Sequence, residues 1–325
     1  MKINSVNGPI ESGEMGKTLI HEHLLTINYA LYHAYGKDWL DEEEMYRIFC
    51  ERVERVKAKG VRTIVDPLPT DLGRDLRMMQ EASKRAGINY ICATGLYHVE
   101  APFMSKGIDP DYLASYFIKD LTEGIEGTEY KAALIKVATD KMYGMSENNR
   151  KMMEAAAIAS IATGVPITTH TYSKEHHGLY QQQIFLDKGV EPKKIYIGHS
   201  FDCLDKDYLR EIMDKGSYVG CDQIGITHRA STEDLAKCVA DLIHMDKGYE
   251  KQIFLSHDGG VINDYGSCFM PWRRDVNKNS SCGSYDELFD VMIPELLKNG
   301  ISEEIIDIML IDNPRRYFEG RDINE

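Results

Sequence analysis

The chain has 325 residues, of which 43% are apolar, and its formal charge is −14 because 52 acidic residues outnumber 38 basic ones. The apolar fraction is sufficient for a sizeable core, and the acidic balance, without a long basic stretch, argues against nucleic acid as a partner. No stretch reaches the ~20 apolar residues of a membrane span, and residues 1–16 lack the apolar centre of a signal peptide.

The cysteines indicate the compartment in which the protein resides. There are seven of them, scattered and without a CxxC pair. This usage is typical of free thiols in a reducing compartment. We therefore expect a cytoplasmic protein that binds neither nucleic acid nor membranes and acts on a small molecule; a homodimer is a candidate assembly.

Short apolar runs alternate with longer amphipathic segments along the chain. The opening KINSVNGPI predicts a short hairpin, and DEEEMYRIFCERVERVKAKG (41–60) predicts a helix that Asp41 caps and Gly60 ends. A second helix is predicted at about 74–86 and stops at Gly87. Strands are predicted at TLIHEH, VRTIVDP, INYICATG, AALIKVAT, VPITTH, KIYIGHS, SYVGCDQIG and KQIFLSHD.

Eight strands with helical crossovers between them imply a parallel sheet. Because about 290 residues hold these units without a composition break, we predict one domain over residues 1–325. The predicted fold class is α/β, a closed (β/α)8 barrel (TIM barrel) rather than a doubly wound sheet. The longest irregular stretch, 259–284, predicts a long loop after strand 8, of the kind that acts as a lid or binding loop.

Polar side chains lie at the strand ends that a parallel barrel brings to one face. Alternate residues of a strand point the same way, so His21 and His23 should both face the barrel mouth while Glu22 faces the helices. A single histidine at a strand end is usually no more than a hydrogen-bonded polar residue. Further polar residues end strands 2, 5, 6, 7 and 8, namely Asp66, His170, His199, Asp222 and the pair His257–Asp258. Four of these histidines (His21, His23, His170 and His199) and one aspartate (Asp258) on converging strand ends predict a site for more than one metal ion.

Lys136 lies inside the apolar strand AALIKVAT, where a charged amine is costly to bury. The side chain could reach solvent, or it could be a Schiff-base lysine as in barrel aldolases. It could also be carboxylated by CO2, becoming an anion that bridges two cations. The surrounding histidines favour this third interpretation.

The sequence resembles the phosphotriesterase-related family (phosphotriesterase-like lactonases) of the amidohydrolase superfamily, from about residue 5 to residue 319. The motifs that carry the resemblance are GKTLIHEHLL, TDLGRD, ATGLY, IKVATD, ATGVPITTHT, YIGHSFD, FLSHDGG and DNPRRYF, in this order. The resemblance implies a hydrolase with two divalent metal ions, zinc in preference to manganese, cobalt or iron.

The resemblance also implies a role for each candidate ligand. His21, His23 and Asp258 would hold the more buried ion, and His170 and His199 the more exposed one. Lys136, carboxylated by CO2, would bridge both ions together with a hydroxide. That hydroxide would be the nucleophile, because two cations lower the pKa of bound water. Asp258 would be the catalytic residue that takes its proton, and His257 would point away from the ions.

Five further positions are candidates for substrate binding. Gln223 occupies the position at which organophosphate-hydrolysing members have a proton-relaying histidine and many lactonases have an arginine. Glutamine can perform the function of neither residue. Tyr97 matches an aromatic position on the leaving-group side, or else it closes the top of the barrel. Arg229, Arg273 and Arg274 could meet a phosphate or carboxylate of the substrate, or could be solvated loop charges.

Gln223 and the short loop GITHRAS after strand 7, which is similar to that of the lactonases, favour a lactonase. The family that the sequence resembles includes members that act on phosphorylated sugar lactones, so sugar or phosphorylated sugar lactones are candidate substrates. Phosphotriester hydrolysis and N-acyl amide hydrolysis at the same metal centre are the alternatives. A Schiff-base aldolase that uses Lys136 is a distant alternative, since it makes no use of the four histidines.

Overall fold

Parallel strands dominate the computed structural model, which describes residues 1–97, 109–141, 144, 146–264 and 284–323. The strands are β1 (Lys2–Ile3), β2 (Ile10–Glu11), β3 (Lys17–Leu19), β4 (Glu22–Thr26), β5 (Val61–Asp66), β6 (Asn89–Gly95), β7 (Leu134–Ala138), β8 (Ile167–His170), β9 (Ile195–Ile197), β10 (Tyr218–Cys221), β11 (Ile253–Leu255) and β12 (Gly259–Asn263). Eight of them form one sheet in the order β3-β5-β6-β7-β8-β9-β10-β11, with every neighbouring pair parallel.

The barrel closes through the continuations of the first and last strands of this sheet. β4 follows β3, β12 follows β11, and the two continuations pair in parallel with Gly259 opposite Glu22. The buried Glu22 carboxylate strengthens the join, because it accepts hydrogen bonds from Ser256 Oγ at 2.8 Å and from His257 Nδ1 at 2.7 Å. The predicted (β/α)8 barrel is confirmed.

The prediction of one unbroken first strand was wrong. β3 ends at Leu19 and β4 begins at Glu22. Between them, the backbone N–H of His21 donates to Ser256 Oγ and its carbonyl accepts from the Asp258 N–H, both at 3.0 Å. These bonds to the segment between β11 and β12 replace the regular ladder of the first strand.

Helices cover the outside of the sheet. They are α1 (Tyr29–Tyr35), α2 (Glu42–Ala58), α3 (Leu76–Ala86), α4 (Pro110–Thr122), α5 (Glu147–Thr163), α6 (His177–Asp187), α7 (Lys206–Asp214), α8 (Thr232–Ile243), α9 (Ile293–Lys298), α10 (Glu303–Asp307) and α11 (Asn313–Glu319). The predicted cap of α2 is confirmed, since Asp41 accepts a hydrogen bond from the Glu44 N–H at 3.2 Å. None of the helices in the described ranges has both the length and the apolar character needed to cross a bilayer.

Alternate residues of the strands point into two separate hydrophobic cores. Ile195 and Ile197 of β9 belong to the large core between sheet and helices. Tyr196, between them, belongs to a smaller core with Tyr218, Phe254 and other strand residues, to which α11 adds Tyr317 and Phe318. This alternation is expected of a barrel, whose strands turn every second residue inward.

Two predictions concern the ends of the barrel. The N-terminal hairpin is confirmed, because β1 pairs antiparallel with β2. The long loop predicted at 259–284 was wrong at its start, since residues 259–263 form β12, which gains its ladder from β4. Residues 265–283, with Arg273 and Arg274, lie outside the described residues.

Candidate metal centre

A cavity of about 520 Å³ opens at the carboxyl ends of the strands. This is the face on which parallel barrels carry their binding sites. The cavity wall contains all six predicted metal ligands and three of the five predicted substrate-binding residues. These are His21, His23, Lys136, His170, His199 and Asp258, with Tyr97, Gln223 and Arg229.

Three imidazole Nε2 atoms converge on the carboxylate of Asp258. The Nε2 atoms of His23 and His21 lie 3.1 Å and 3.7 Å from its Oδ1, and that of His199 lies 3.9 Å from its Oδ2. One ligand atom from each of His21, His23 and Asp258 lies within 4.8 Å of the others, close enough for one ion to bind all three. These are the residues that the resemblance assigns to the more buried ion.

His170 completes the cluster at its outer edge. Its ring centroid lies 4.6 Å from that of His199 and 5.1 Å from that of Tyr97. Its side chain is 16% exposed, whereas that of His199 is 2% exposed. The structure therefore brings together the two histidines that the resemblance assigns to the more exposed ion.

The outward-facing nitrogens of these histidines meet buried carboxylates. Nδ1 of His23 lies 2.8 Å from Asp66 Oδ1, and Nδ1 of His199 lies 3.0 Å from Asp222 Oδ1. Nδ1 of His21 lies 3.2 Å from Asp222 Oδ2, without the geometry of a hydrogen bond. Metal-ligating histidines commonly have this arrangement, in which a carboxylate fixes one nitrogen and leaves Nε2 free to bind. The donor set therefore fits a divalent metal ion.

The sequence placed Asp66 and Asp222 at strand ends but did not identify this role. The available signal was their position one strand away from a candidate histidine. The pairing of each carboxylate with a particular ring depends on side-chain rotamers and on strand register. Neither of these can be predicted from the sequence.

Burial and neighbouring charges shift the pKa values of the titratable groups of the site in opposite directions. Burial lowers the pKa of His21 to about 3. Burial also lowers the pKa of His23, but Asp66 and Asp258 outweigh it and raise that pKa to about 9. The histidines hold the pKa of Asp258 well below its usual range although burial opposes them. The cluster thus contains ionised carboxylates that favour a cation at the Nε2 atoms.

Lys136 points into the centre of this cluster. It is 2% exposed, and its Nζ lies 3.4 Å from His21 Nε2. The interpretation in which the side chain reaches solvent is therefore wrong. Burial lowers the pKa of Lys136 to about 8, so about a tenth of the amine is neutral at pH 7, far more than for an ordinary lysine. A neutral amine is the form that reacts with CO2 or with a carbonyl.

The substrate-binding candidates have distinct surroundings. Gln223 is 7% exposed and its Nε2 donates to Asp258 Oδ2 at 2.8 Å. Arg229 is partly exposed, and its Nη1 lies 3.7 Å from Oδ2 of Asp202, a carboxyl group whose pKa burial raises to about 6. The Tyr97 backbone N–H donates to Asp71 at 2.8 Å. The sequence did not identify Asp202 or Asp71 as neighbours of the site.

The fold and the cavity define a class: (β/α)8-barrel proteins with candidate metal ligands at the carboxyl ends of their strands. The chain belongs to the phosphotriesterase family, whose sequence profile ("Phosphotriesterase family") matches residues 1–318. It is a hydrolase of that family, and the resemblance seen in the sequence is confirmed.

Several known proteins are similar over nearly the whole chain. An aryldialkylphosphatase of Saccharolobus solfataricus is 37% identical over 310 residues, which cover 95% of this chain and 96% of that protein. An N-acetyltaurine hydrolase of Xenopus tropicalis is 24% identical over 98% of this chain and 97% of its own length. The solved structure of the phosphotriesterase from Mycobacterium tuberculosis superposes with a TM-score of 0.87 at 32% identity, covering 98% of each chain.

Proposed function

We propose that this hydrolase opens lactones at a centre of two divalent metal ions, zinc by preference. The proposed ligands are His21, His23, carboxylated Lys136, His170, His199 and Asp258. The convergence of three imidazole Nε2 atoms on Asp258 supports the centre, as do the carboxylates behind His23 and His199.

Divalent cations in such a site polarise a carbonyl oxygen and ionise water near neutral pH. The chain's own residues orient the groups and move the proton. Asp258 is the acceptor for the proton of the attacking water, since its Oδ1 faces the cavity beside His23 Nε2. Its other oxygen, Oδ2, is held by Gln223. These two contacts orient the carboxylate.

The observation that carries the lactone assignment is the hydrogen bond from Gln223 to Asp258. A neutral amide can donate to a carboxylate, but it does not take up a proton near neutral pH. A proton on Asp258 therefore has no path outward through residue 223. In a lactone the leaving alkoxide stays tethered to the product, so Asp258 can return the proton to it directly. An untethered leaving group gains more from an outward relay.

Arg229 supports a narrower substrate class. Its side chain lines the cavity and is 34% exposed, so it is accessible to a ligand. A guanidinium binds phosphate and carboxylate groups in a bidentate manner. The proposed substrates are therefore lactones that carry such a group, including phosphorylated sugar lactones. Arg273 and Arg274 are proposed to bind the same group.

Two relatives favour specific alternatives at the same centre. The Saccharolobus relative is named an aryldialkylphosphatase, which favours phosphotriester hydrolysis. The Xenopus relative is named an N-acetyltaurine hydrolase, which favours hydrolysis of N-acyl amides. A Schiff-base aldolase remains a distant alternative, since it would leave the four histidines without a use.

One activity screen separates these functions. The zinc-loaded protein is assayed for kcat/KM on neutral lactones, sugar-phosphate lactones, N-acyl amino acids with N-acetyltaurine, and aryl dialkyl phosphates. We expect the highest value on a lactone with an anionic group. The Asp258→Asn variant serves as the inactive control, because it keeps the shape of the side chain and loses the carboxylate that is proposed to bind metal and to accept the proton. A higher value on a triester or an amide than on every lactone would overturn the assignment.

A further inference from the structure

Two buried tyrosines stand behind the carboxylates that hold the histidines. Tyr90 is fully buried in β6, and its hydroxyl donates to Asp66 Oδ2 at 2.6 Å. The same carboxylate accepts from the backbone N–H groups of Leu24 and Leu68, each at 3.0 Å, and it faces Nδ1 of His23. Tyr90, Asp66 and His23 therefore form one continuous chain of contacts from the core between sheet and helices to the cavity.

A second chain of contacts has the same order. Tyr196, 1% exposed in β9, donates its hydroxyl to Asp222 Oδ2. Oδ1 of Asp222 lies 3.0 Å from Nδ1 of His199. Gly220 makes room for this arrangement, because a Cβ there would lie 2.4 Å from Asp222 Oδ2 and 2.8 Å from the Tyr196 hydroxyl. The chain thus keeps a residue without a side chain where the tyrosine and the carboxylate meet.

We propose that Tyr90 and Tyr196 are positioning residues of the metal centre. Each orients the carboxylate that fixes one histidine ring, so that His23 and His199 present Nε2 to the cavity at the angle a divalent cation requires. The proposal rests on the proposed metal centre. It is independent of which substrate the centre hydrolyses.

The physical reason is that these carboxylates lie where water cannot replace a missing donor. Asp66 and Asp222 are at most 1% exposed. Without the tyrosine hydroxyl, Asp66 Oδ2 would keep the Leu24 N–H donor and Asp222 Oδ2 the His199 N–H donor. A buried carboxylate that loses one of its donors in this way rotates or remains under-satisfied, at a cost. Burial also raises the pKa of both tyrosines well above its usual range. Each hydroxyl therefore keeps its proton and remains a donor.

Other buried tyrosines provide a matched control. Tyr218 and Tyr317 are also fully buried and belong to the same inner core as Tyr196. Among the residues that the structure describes, neither of their hydroxyls has a hydrogen-bond partner. Replacing Tyr317 by phenylalanine removes the same atom from the same kind of surroundings without touching a carboxylate.

The test measures zinc affinity by competition with a chromophoric chelator, for the wild type and for Tyr90→Phe, Tyr196→Phe and Tyr317→Phe. Changes in residues that hold metal-ligating histidines typically weaken affinity ~10–100-fold, and the tyrosines act one bond further out. We therefore expect about a tenfold loss for Tyr90→Phe and Tyr196→Phe, and a change within about twofold for Tyr317→Phe. Thermal unfolding of the metal-free variants is recorded in parallel.

A double-mutant cycle separates positioning from general stability. If Tyr90 acts through Asp66, adding Tyr90→Phe to Asp66→Asn should cost no further zinc affinity. Tyr196 and Asp222→Asn give an independent cycle, so one poorly folding variant does not remove the test. Unchanged zinc affinity in both tyrosine variants, or losses that simply add to those of the aspartate variants, would overturn the proposal. A wild type that binds no zinc would instead overturn the metal centre, and with it the roles of these tyrosines.

Discussion

The Nζ atom of Lys136 lies 3.4 Å from Nε2 of His21, in the centre of the histidine cluster. A protonated amine in this place would repel any cation bound by the histidines. A neutral amine can instead react with CO2, forming a C–N bond and releasing a proton, and the product is an anion that attracts cations. The proximity of Lys136 to His21 is therefore consistent with a metal centre only if the amine is modified or neutral.

The first prediction concerns this lysine. Lys136→Ala should lose bound metal and hydrolytic activity together, because the proposed bridging anion would be lost. Short carboxylic acids such as propionate should partly restore both by occupying its place. Metal per chain is measured by elemental analysis after dialysis, with Lys206→Ala as the control, since Lys206 is an exposed helix residue paired with Asp241. If borohydride with substrate traps a covalent adduct on Lys136, the aldolase is the correct interpretation.

The barrel was predictable from the sequence because its signals are local. Strand-length apolar runs, amphipathic helices and caps such as Asp41 each occupy a short window of sequence. The break between β3 and β4 was not predictable, because His21 bonds to Ser256 and Asp258, more than 230 positions away. β12 was missed for a similar reason. Its Gly259–Gly260 start is typical of a turn, and only the pairing with β4 makes it a strand.

For the site as for the fold, the sequence predicted which residues come together but not their long-range contacts. The parallel barrel places every strand end on one face, so the sequence could indicate that six ligand candidates converge. It could not indicate that Gln223 contacts Asp258, or that Tyr90 and Tyr196 lie behind the histidines. Those contacts depend on how side chains from neighbouring strands are oriented on the two faces of the sheet.

The second prediction is the metal content. The six proposed ligands should hold about two transition-metal ions per chain, the number found in two-metal hydrolases. Elemental analysis of protein expressed in zinc-supplemented medium measures this directly. Removing the metal with a chelator should abolish activity, and adding zinc back should restore it. Full activity in a preparation without metal would contradict the proposed centre.

The third prediction concerns Gln223. Gln223→Met keeps the length of the side chain but removes the donor to Asp258 Oδ2. A hydrogen bond to a charged group contributes ~1.5–3 kcal/mol, so kcat/KM on lactones should fall roughly ten- to a hundredfold. Gln183→Met is the control, because Gln183 also donates to an aspartate but on an exposed helix face.

A second variant at this position tests the proton path. Gln223→His introduces a group that can carry a proton outward. It should therefore raise activity on aryl dialkyl phosphates relative to lactones. An unchanged ratio of the two activities would remove the proton path from the argument for lactones.

The fourth prediction is a pH dependence of stability. Burial raises the pKa of Asp71 to about 6, whereas an unfolded aspartate has a pKa of ~3.9. Between these values the folded state binds the proton that the unfolded state has lost, so the contribution of Asp71 is present below pH ~4 and is lost as the pH rises through ~6. The change is at most about 3 kcal/mol. Asp71→Asn should remove it, as judged by urea unfolding of both proteins at pH 4 and pH 7. Equal changes in unfolding free energy for the two proteins would contradict the assignment.

The last prediction concerns the anionic group of the substrate. Arg229 lines the cavity, and its nearest described carboxylate oxygen, on Asp202, is 3.7 Å away, a loose contact that a substrate phosphate can replace. Arg229→Ala should reduce kcat/KM about ten- to a hundredfold on an anionic lactone and much less on a matched neutral one, because a charged contact contributes ~1.5–3 kcal/mol. The loss of kcat/KM for Arg229→Lys should lie between that of Arg229→Ala and no loss, since lysine keeps the charge without the bidentate geometry.

Arg273→Ala and Arg274→Ala are assayed on the same pair of lactones. Arg210→Ala is the control, because Arg210 is exposed and paired with Asp207. Equal losses of kcat/KM on both lactones would mean that these arginines do not bind the anionic group. Faster turnover of a paraoxon-like triester than of every lactone would overturn the assignment of lactones as substrates.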